Sequence, residues 1–346
     1  MNEIIDYSTY YKKCTQCPRK CGINRLEGKA GICGETAALR AAFAGLHFGE
    51  EPLITVHGGS GTIFLTGCTL RCAFCQNYQI SQNGLGAELT GDDFVSICLR
   101  LQEKGAENIN LVTPSHHIPR LADFIKQAKD SGVTIPFCWN SSAYESIEML
   151  ELLKGLVTIW LPDLKTLNSE LSKKLFDAED YPKIASDAIS WMIENNPLRI
   201  GEKNGFDKEI GKQCSKEKMI SGVIIRHLFL PGRFEETAKV LEWLKENADE
   251  RAIISLMNQY TPVPFSESEA AAKRRQAALS TIENRLVTSQ EDSDIKDLID
   301  AYDFAYLFYQ ELSDDTSWLP DFTRQQPFSN KLATPLWNCN MQEALN

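Results

Sequence analysis

Between Gly61 and Pro264, six short apolar runs recur along the chain, most of them followed by a stretch with helical spacing. "TIFLT" (Thr62 to Thr66), "INLVT" (Ile109 to Thr113) and "TIPFCW" (Thr134 to Trp139) are the first three. "VTIWL" (Val157 to Leu161), "GVIIRHLFL" (Gly222 to Leu230) and "AIISLM" (Ala252 to Met257) complete the set. The intervening stretches carry apolar residues at helical intervals: Phe94, Ile97, Cys98 and Leu101, then Leu121, Phe124, Ile125 and Ala128. Continuous apolar strands alternating with amphipathic helices predict a parallel sheet with right-handed crossovers. A complete eight-fold barrel takes about 250 residues, whereas the six units here occupy about 200, so a partial (β/α)6 TIM-like barrel is expected. A doubly wound open sheet gives the same alternation and stays open as an alternative. In both architectures the chemistry lies at the carboxyl ends of the strands. There the chain carries "GCTLRC", "TPSHH", "WNSS" and "PDLK".

Two appendages flank this core. Residues 1–60 form a cysteine-rich region, 61–265 the partial barrel, and 266–346 a helical extension ending in a Pro- and Trp-bearing tail. Thr90 and Thr288 read as helix caps, the latter in the capping box "TSQE". The start "MNEIIDYSTY" lacks the basic-then-apolar pattern of a secretory signal, and no apolar run reaches the length of a membrane span. A cytoplasmic location is therefore expected. There eleven cysteines point to metal binding or catalysis rather than disulfides. A net charge of -11 argues against a nucleic-acid partner, which requires a basic footprint. The first 40 residues depart from this balance, with seven Lys or Arg against four Asp or Glu. That local excess reads either as a solvated face or as a docking surface for an acidic partner.

"LTGCTLRCAFCQN" places Cys68, Cys72 and Cys75 in a C-x3-C-x2-C array on the loop leaving the first strand. Structural zinc and fully protein-bound cubane clusters each take four ligands. Three adjacent thiolates therefore suggest a cubane with one iron left open to an amino acid-like chelator. A zinc knuckle completed by His57 or by a distant cysteine is the rival reading.

On these residues the chain resembles the radical S-adenosylmethionine (SAM) superfamily, and within it the PflX-like homologues of pyruvate formate-lyase-activating enzymes. "CPRKCGINR", "NLVTPSHH", "WLPDLK", "IRHLFLPG" and "SLMNQYTP" carry the likeness beyond the cysteine motif. The resemblance implies a [4Fe–4S] cluster on Cys68, Cys72 and Cys75, with SAM chelating the fourth iron and being cleaved reductively to a 5′-deoxyadenosyl radical. It further implies that Phe74 packs near the adenine, with Asn77 at the end of the motif among the cofactor contacts. "VTPSHH" stands where relatives have Gly-Gly-Glu, so Thr113, Ser115 or a backbone carbonyl is expected to meet the methionyl amine. Asn140 stands where activating enzymes place a ribose-binding Asp. Asp163 and Lys165 match an Asp-x-Lys element at the methionyl end, Arg226 a SAM-contacting arginine, and Gln259 a position where relatives use His. His116, His117 and Lys165 are candidate catalytic residues, while His227 should face away from Arg226 and be structural.

A second array, Cys14, Cys17, Cys21 and Cys33, has the spacing C-x2-C-x3-C-x11-C. Four thiolates close a shell, so a structural zinc or an auxiliary iron–sulfur cluster both suit it. Zinc would staple an arm poor in apolar residues, whereas a cluster would relay electrons from an acidic flavodoxin- or ferredoxin-type reductant. Cys98 and Cys138 read as small buried hydrophobes, and Cys214 lies in a charged insertion. The resemblance thus implies an oxidoreductase that installs a glycyl radical on a partner enzyme. Modification of a peptide or small molecule is the alternative, and a non-catalytic metal-stapled electron carrier belongs to a different class.

Overall fold

A strand covered on both faces carries apolar side chains on both, and the apolar runs of the sequence become the wall of one curved sheet. The computed structural model describes residues 7–207, 210–329 and 331–340; Met1 to Asp6, part of the stretch read for a signal, lie outside them. The strands are β1 (Arg40–His47), β2 (Ser60–Leu65), β3 (Ala87–Glu88), β4 (Ile109–Val112), β5 (Phe137–Ser141), β6 (Ile159–Pro162), β7 (Arg199–Asp207), β8 (Lys212–Leu228), β9 (Ile253–Met257), β10 (Leu307–Tyr309) and β11 (Ala333–Asn338). The order across the sheet is β10-β9-β8-β6-β5-β4-β2-β1-β11.

From β2 to β10 every neighbouring pair is parallel and follows chain order without reversal. A doubly wound sheet reverses order at a switch point, and this one does not. The partial barrel is the architecture observed. Its curvature is visible in Glu50, which follows β1 and reaches both Asn110 on β4 and Arg226 on β8.

Alternation sorts the strands into two faces. Leu111, Trp139, Trp160, Val223, Ile225 and Ile254 pack outward with the helices in the main core. Cys138, Ile159, Leu161, Ile224 and Ile253 pack inward, where Leu53 and Ile54 of the short helix Pro52–Thr55 meet them. Thr90 caps the helix Gly91–Glu103 in a capping box with Asp93, and Thr288 caps Ser289–Tyr302 with Glu291. These caps satisfy backbone N–H groups that the first helical turn leaves without partners.

Both flanking regions add strands to the same sheet. β1 runs antiparallel to β2, and the C-terminal β11 runs antiparallel to β1 on its other side. β10 extends the parallel set by a seventh strand. Between the two edge strands, residues 310–329 and 331–332 form a strap across the open side of the barrel. Phe322 and Phe328 of this strap pack inside against Phe43, Phe64 and Val112. The charged insertion containing Cys214 is an antiparallel hairpin of β7 with the first half of β8. Its Lys203 and Lys218 both hold the buried Glu107 at 2.8 Å. No helix among the described residues is long and apolar enough to cross a membrane.

Candidate active site

The loop leaving β2 turns sharply at Gly67, whose φ is +85°. A Cβ there would stand 2.4 Å from Glu35 Cγ and 2.8 Å from the Cys33 carbonyl oxygen, so only glycine fits. Cys68 and Cys72 are buried and Cys75 is half-buried; all three are free thiols. Cys68 Sγ accepts N–H bonds from Leu70 at 3.4 Å and Arg71 at 3.5 Å, and Cys75 Sγ lies 3.2 Å from Ser81 Oγ. Gln82 Nε2 donates to the Cys72 carbonyl at 2.9 Å, and Arg275, from the helix Glu269–Leu279, donates to the Ala73 carbonyl at 2.9 Å. Burial pushes the Cys72 thiol up, and the nearby Lys165 ammonium opposes that shift.

A half-buried polar chain leads away from this loop. Lys165 Nζ donates to Asp163 Oδ2 at 2.8 Å, and Arg226 Nε donates to Asp163 Oδ1 at 2.9 Å. Arg226 also donates to Asn140 Oδ1 at 2.6 Å and stands 3.5 Å from Glu50 Oε2. Burial alone would raise the Asp163 pKa, but Arg226 and Lys165 overcome it and hold the carboxyl below its ordinary range. Burial pushes Glu50 and Glu51 up against the pull of Arg226. Tyr181 fixes the turn, its hydroxyl donating to the Asp163 carbonyl at 2.7 Å and accepting from the Lys165 N–H at 2.9 Å. Asn140, Asp163, Lys165 and Arg226, proposed from the sequence as cofactor contacts, thus form one connected group, and Lys165 carries it toward Cys72.

The other candidates are distributed around it. Phe74 packs among Phe176 and Tyr260, with ring centroids about 6 Å apart. Asn77 precedes the short helix Tyr78–Ser81, and its carbonyl accepts from Ser81 N at 2.9 Å. Thr113 adopts φ +61°, a rare conformation for a β-branched residue, and its N–H donates to the Asn140 carbonyl at 2.9 Å. Ser115 donates to the buried Glu145 rather than into the barrel. Gln259 is engaged by the strap, donating to the Glu311 carbonyl at 2.8 Å and accepting from Gln310 at 3.0 Å.

His116 and His117 are buried under the N-terminal arm. His117 meets Tyr11 and Arg25, each at 3.2 Å, while His116 Nε2 meets the Thr66 carbonyl at 2.7 Å. Burial, with Arg25 adding to it, pushes the His116 imidazole down to about 3. His227 faces away from Arg226, between the Leu164 carbonyl at 2.7 Å and Thr237 at 2.9 Å.

Several site residues escaped sequence reasoning. Glu50, Asn110, Tyr181 and Arg275 come from a loop, a strand and two helices; only Asn110 falls in a quoted motif, as the first residue of "NLVTPSHH". Only the doublet Glu50–Glu51 beside Pro52, two acids next to an apolar run, hinted at burial.

In the second array, Cys14, Cys17 and Cys33 are buried and Cys21 is half-buried. Burial pushes the Cys17 thiol up to about 12, and Cys33, Cys14 and Cys21 add to the shift, so the four thiols share one neighbourhood. Among the described residues, no three His, Cys, Asp or Glu side chains are gathered into a shell for a single metal ion. The thiols of a cubane ligate different irons and therefore stand wider apart than the ligands of one ion. The donor chemistry of the Cys68 loop, three reduced thiols beside the half-buried Lys165 ammonium, fits such a cluster.

Residues 62–196 match the radical SAM superfamily. That family implies a [4Fe–4S] cluster and SAM, and it supports an enzymatic role. Among particular relatives, an uncharacterized protein, MJ0674, of Methanocaldococcus jannaschii is 27% identical over 288 residues, covering 81% of this chain and 75% of that protein. The pyruvate formate-lyase-activating enzyme of Listeria monocytogenes is 29% identical over 131 residues, covering 35% of this chain and 53% of that enzyme. Among solved structures, Streptococcus suis SuiB bound to S-adenosylmethionine aligns with a TM-score of 0.46 at 12% identity, over 70% of this chain and 48% of that one. Methylornithine synthase aligns with a TM-score of 0.44 at 12% identity, over 80% of this chain and 74% of that one.

Proposed function

We propose that this protein is a radical SAM enzyme in which Cys68, Cys72 and Cys75 hold a [4Fe–4S] cluster and the polar chain around Asp163 binds SAM. The observation that carries this reading is the convergence of Lys165, Asp163, Arg226 and Asn140 beside three free thiols at the carboxyl ends of parallel strands. When bound, the cluster supplies the electron that cleaves SAM to methionine and a 5′-deoxyadenosyl radical. The chain's own residues bind and orient. Lys165 presents a fixed positive charge suited to the methionyl carboxylate, and Asn140 offers an amide to the ribose. Phe74 and Asn77 flank the adenine end, and Thr113 offers an acceptor near the amine, whereas Ser115 is turned away to Glu145. Arg226 keeps Asp163 ionised, and Gln259 borders the pocket. The buried aromatic and aliphatic walls exclude water from the radical.

An activating-enzyme role, with a glycyl-radical protein as substrate, is supported by the sequence likeness to the Listeria enzyme. The strap favours a second reading. Residues 310–329 occupy the side through which a folded partner would insert a loop, with Phe322 and Phe328 packed inside. This suits a peptide or small-molecule substrate better.

The test is anaerobic reconstitution with iron and sulfide, followed by dithionite and SAM. 5′-Deoxyadenosine is expected from the wild type and none from Cys72→Ala. A reconstituted wild type that releases none leaves only the electron-carrier reading. Co-incubation with a candidate glycyl-radical protein should give a backbone-carbon radical signal by electron paramagnetic resonance only under the activating-enzyme reading.

A further inference from the structure

The four-cysteine arm does not hang from the barrel; it rests on the loop that carries the other three cysteines. The Cys33 carbonyl accepts the N–H of Cys68 at 3.2 Å. Arg19 Nε donates to the Thr69 carbonyl at 2.8 Å. Arg25, fully buried, lies 3.8 Å from Cys14 Sγ and donates to the His116 carbonyl at 2.7 Å, and His116 in turn meets the Thr66 carbonyl. All three links end on residues 66–69. A staple that only stabilised the arm could sit on any part of the barrel.

We propose that Cys14, Cys17, Cys21 and Cys33 hold a second iron–sulfur cluster, and that this cluster is the port through which electrons reach the Cys68, Cys72 and Cys75 site. One observation favours a cluster over zinc. The arm and the barrel loop meet cysteine to cysteine, so a few covalent bonds and one hydrogen bond join the Cys33 and Cys68 sulfurs. A single electron leaves a low-potential one-electron donor, rests on the arm and passes through this link; no bond is made or broken and no proton moves. The donor is a protein of negative surface charge. The arm exposes Lys12, Lys13 and Lys20, with Leu26 and Ile32 44% and 47% exposed beside the cysteines. The inference rests on the barrel-site reading only for the electron's destination.

The experiment is metal and sulfide analysis of the full-length protein, reconstituted anaerobically, beside a variant with Cys68, Cys72 and Cys75 all changed to Ala. The variant should keep about four irons and four sulfides per chain, and the wild type should hold about twice that. One zinc per variant chain, or no metal, overturns the proposal. Equal iron in both proteins would sink the barrel reading and leave this site standing. In stopped-flow reduction by a flavodoxin-class donor, Cys17→Ala/Cys21→Ala should keep the barrel cluster's absorbance but lose the fast phase. A wild-type fast phase in that variant overturns the port. Should that variant fail to fold, reversing the charge of Lys12, Lys13 and Lys20 should weaken the donor dependence of the fast phase, and an unchanged dependence overturns the port equally.

Discussion

Arg226 and Asp163 meet inside the barrel, Nε to Oδ1 at 2.9 Å, and every other charge nearby is arranged around that contact. Arg226 is the guanidinium that faces Asp163, Glu50 and Glu51, and Lys165 neutralises only the far oxygen of Asp163.

Replacing Arg226 with Met should therefore cost about 3–5 kcal/mol, because it leaves carboxylates buried without their partner. Urea denaturation measures this. The double variant with Glu50→Gln should recover part of the loss, since the two residues are in contact and their effects are not additive. Independent, additive losses would show that Glu50 is not a partner of Arg226.

Thr113 holds φ +61°, which for an L residue costs about 1–2 kcal/mol. Thr113→Gly should raise stability by about 1 kcal/mol, part of the relief being offset by the freer unfolded chain. If the strain serves the site, SAM binding measured by calorimetry should weaken in the same variant. A variant less stable than the wild type would mean that the Thr side chain repays its backbone conformation.

The strap is held by aromatic contacts. Phe328 lies 5.2 Å from the Phe64 ring, 5.6 Å from Phe43 and 4.9 Å from His47. Phe328→Ala removes a side chain whose loss in a core costs about 3–5 kcal/mol. Because the strap can detach without unfolding the barrel, much of that loss should appear locally. Limited proteolysis within residues 310–332 should accelerate well before the midpoint of urea unfolding falls. Equal resistance to protease in both proteins would show that the strap is anchored elsewhere.

The wall of the barrel was legible because parallel strands are apolar on both faces, and runs such as "INLVT" and "VTIWL" admit few other readings. The flanking strands were not. β1 is "RAAFAGLH", rich in small residues and set in a cysteine-rich stretch. β11 contains Pro335, which a strand tolerates only at a sheet edge, where β11 lies. β10 is three residues long and owes its existence to β9. In the site, side chains within motifs could be named from the family resemblance, as with Asp163, Lys165 and Arg226. Glu50 could not, because a loop residue enters a barrel only through the path of the folded chain. His116 and His117 sit on a strand-end loop, as their spacing implied, but the arm folded over that loop takes both imidazoles inward.

The buried histidines give the protein a pH dependence whose sign is fixed. Burial pushes His47 and His227 down to about 4, and His116 to about 3, while His117 falls well below its ordinary value. In the unfolded chain a histidine takes up its proton near pH 6.5. Below that the unfolded state binds protons that the folded state refuses, so stability falls as pH drops from about 6.5 toward 4. Each such group contributes at most about 1.4 kcal/mol per pH unit. Glu35, Glu50, Glu51 and Glu145, pushed up by burial, act in the opposite direction, so the total slope does not isolate the histidines. His227→Gln does. It should be less stable than the wild type at pH 7.5, where the hydrogen bonds to Leu164 and Thr237 are lost or weakened. Between pH 6.5 and 4.5 its stability should fall less steeply, by up to about 1.4 kcal/mol per pH unit. Parallel pH curves from urea denaturation would show that His227 already carries its proton in the folded protein.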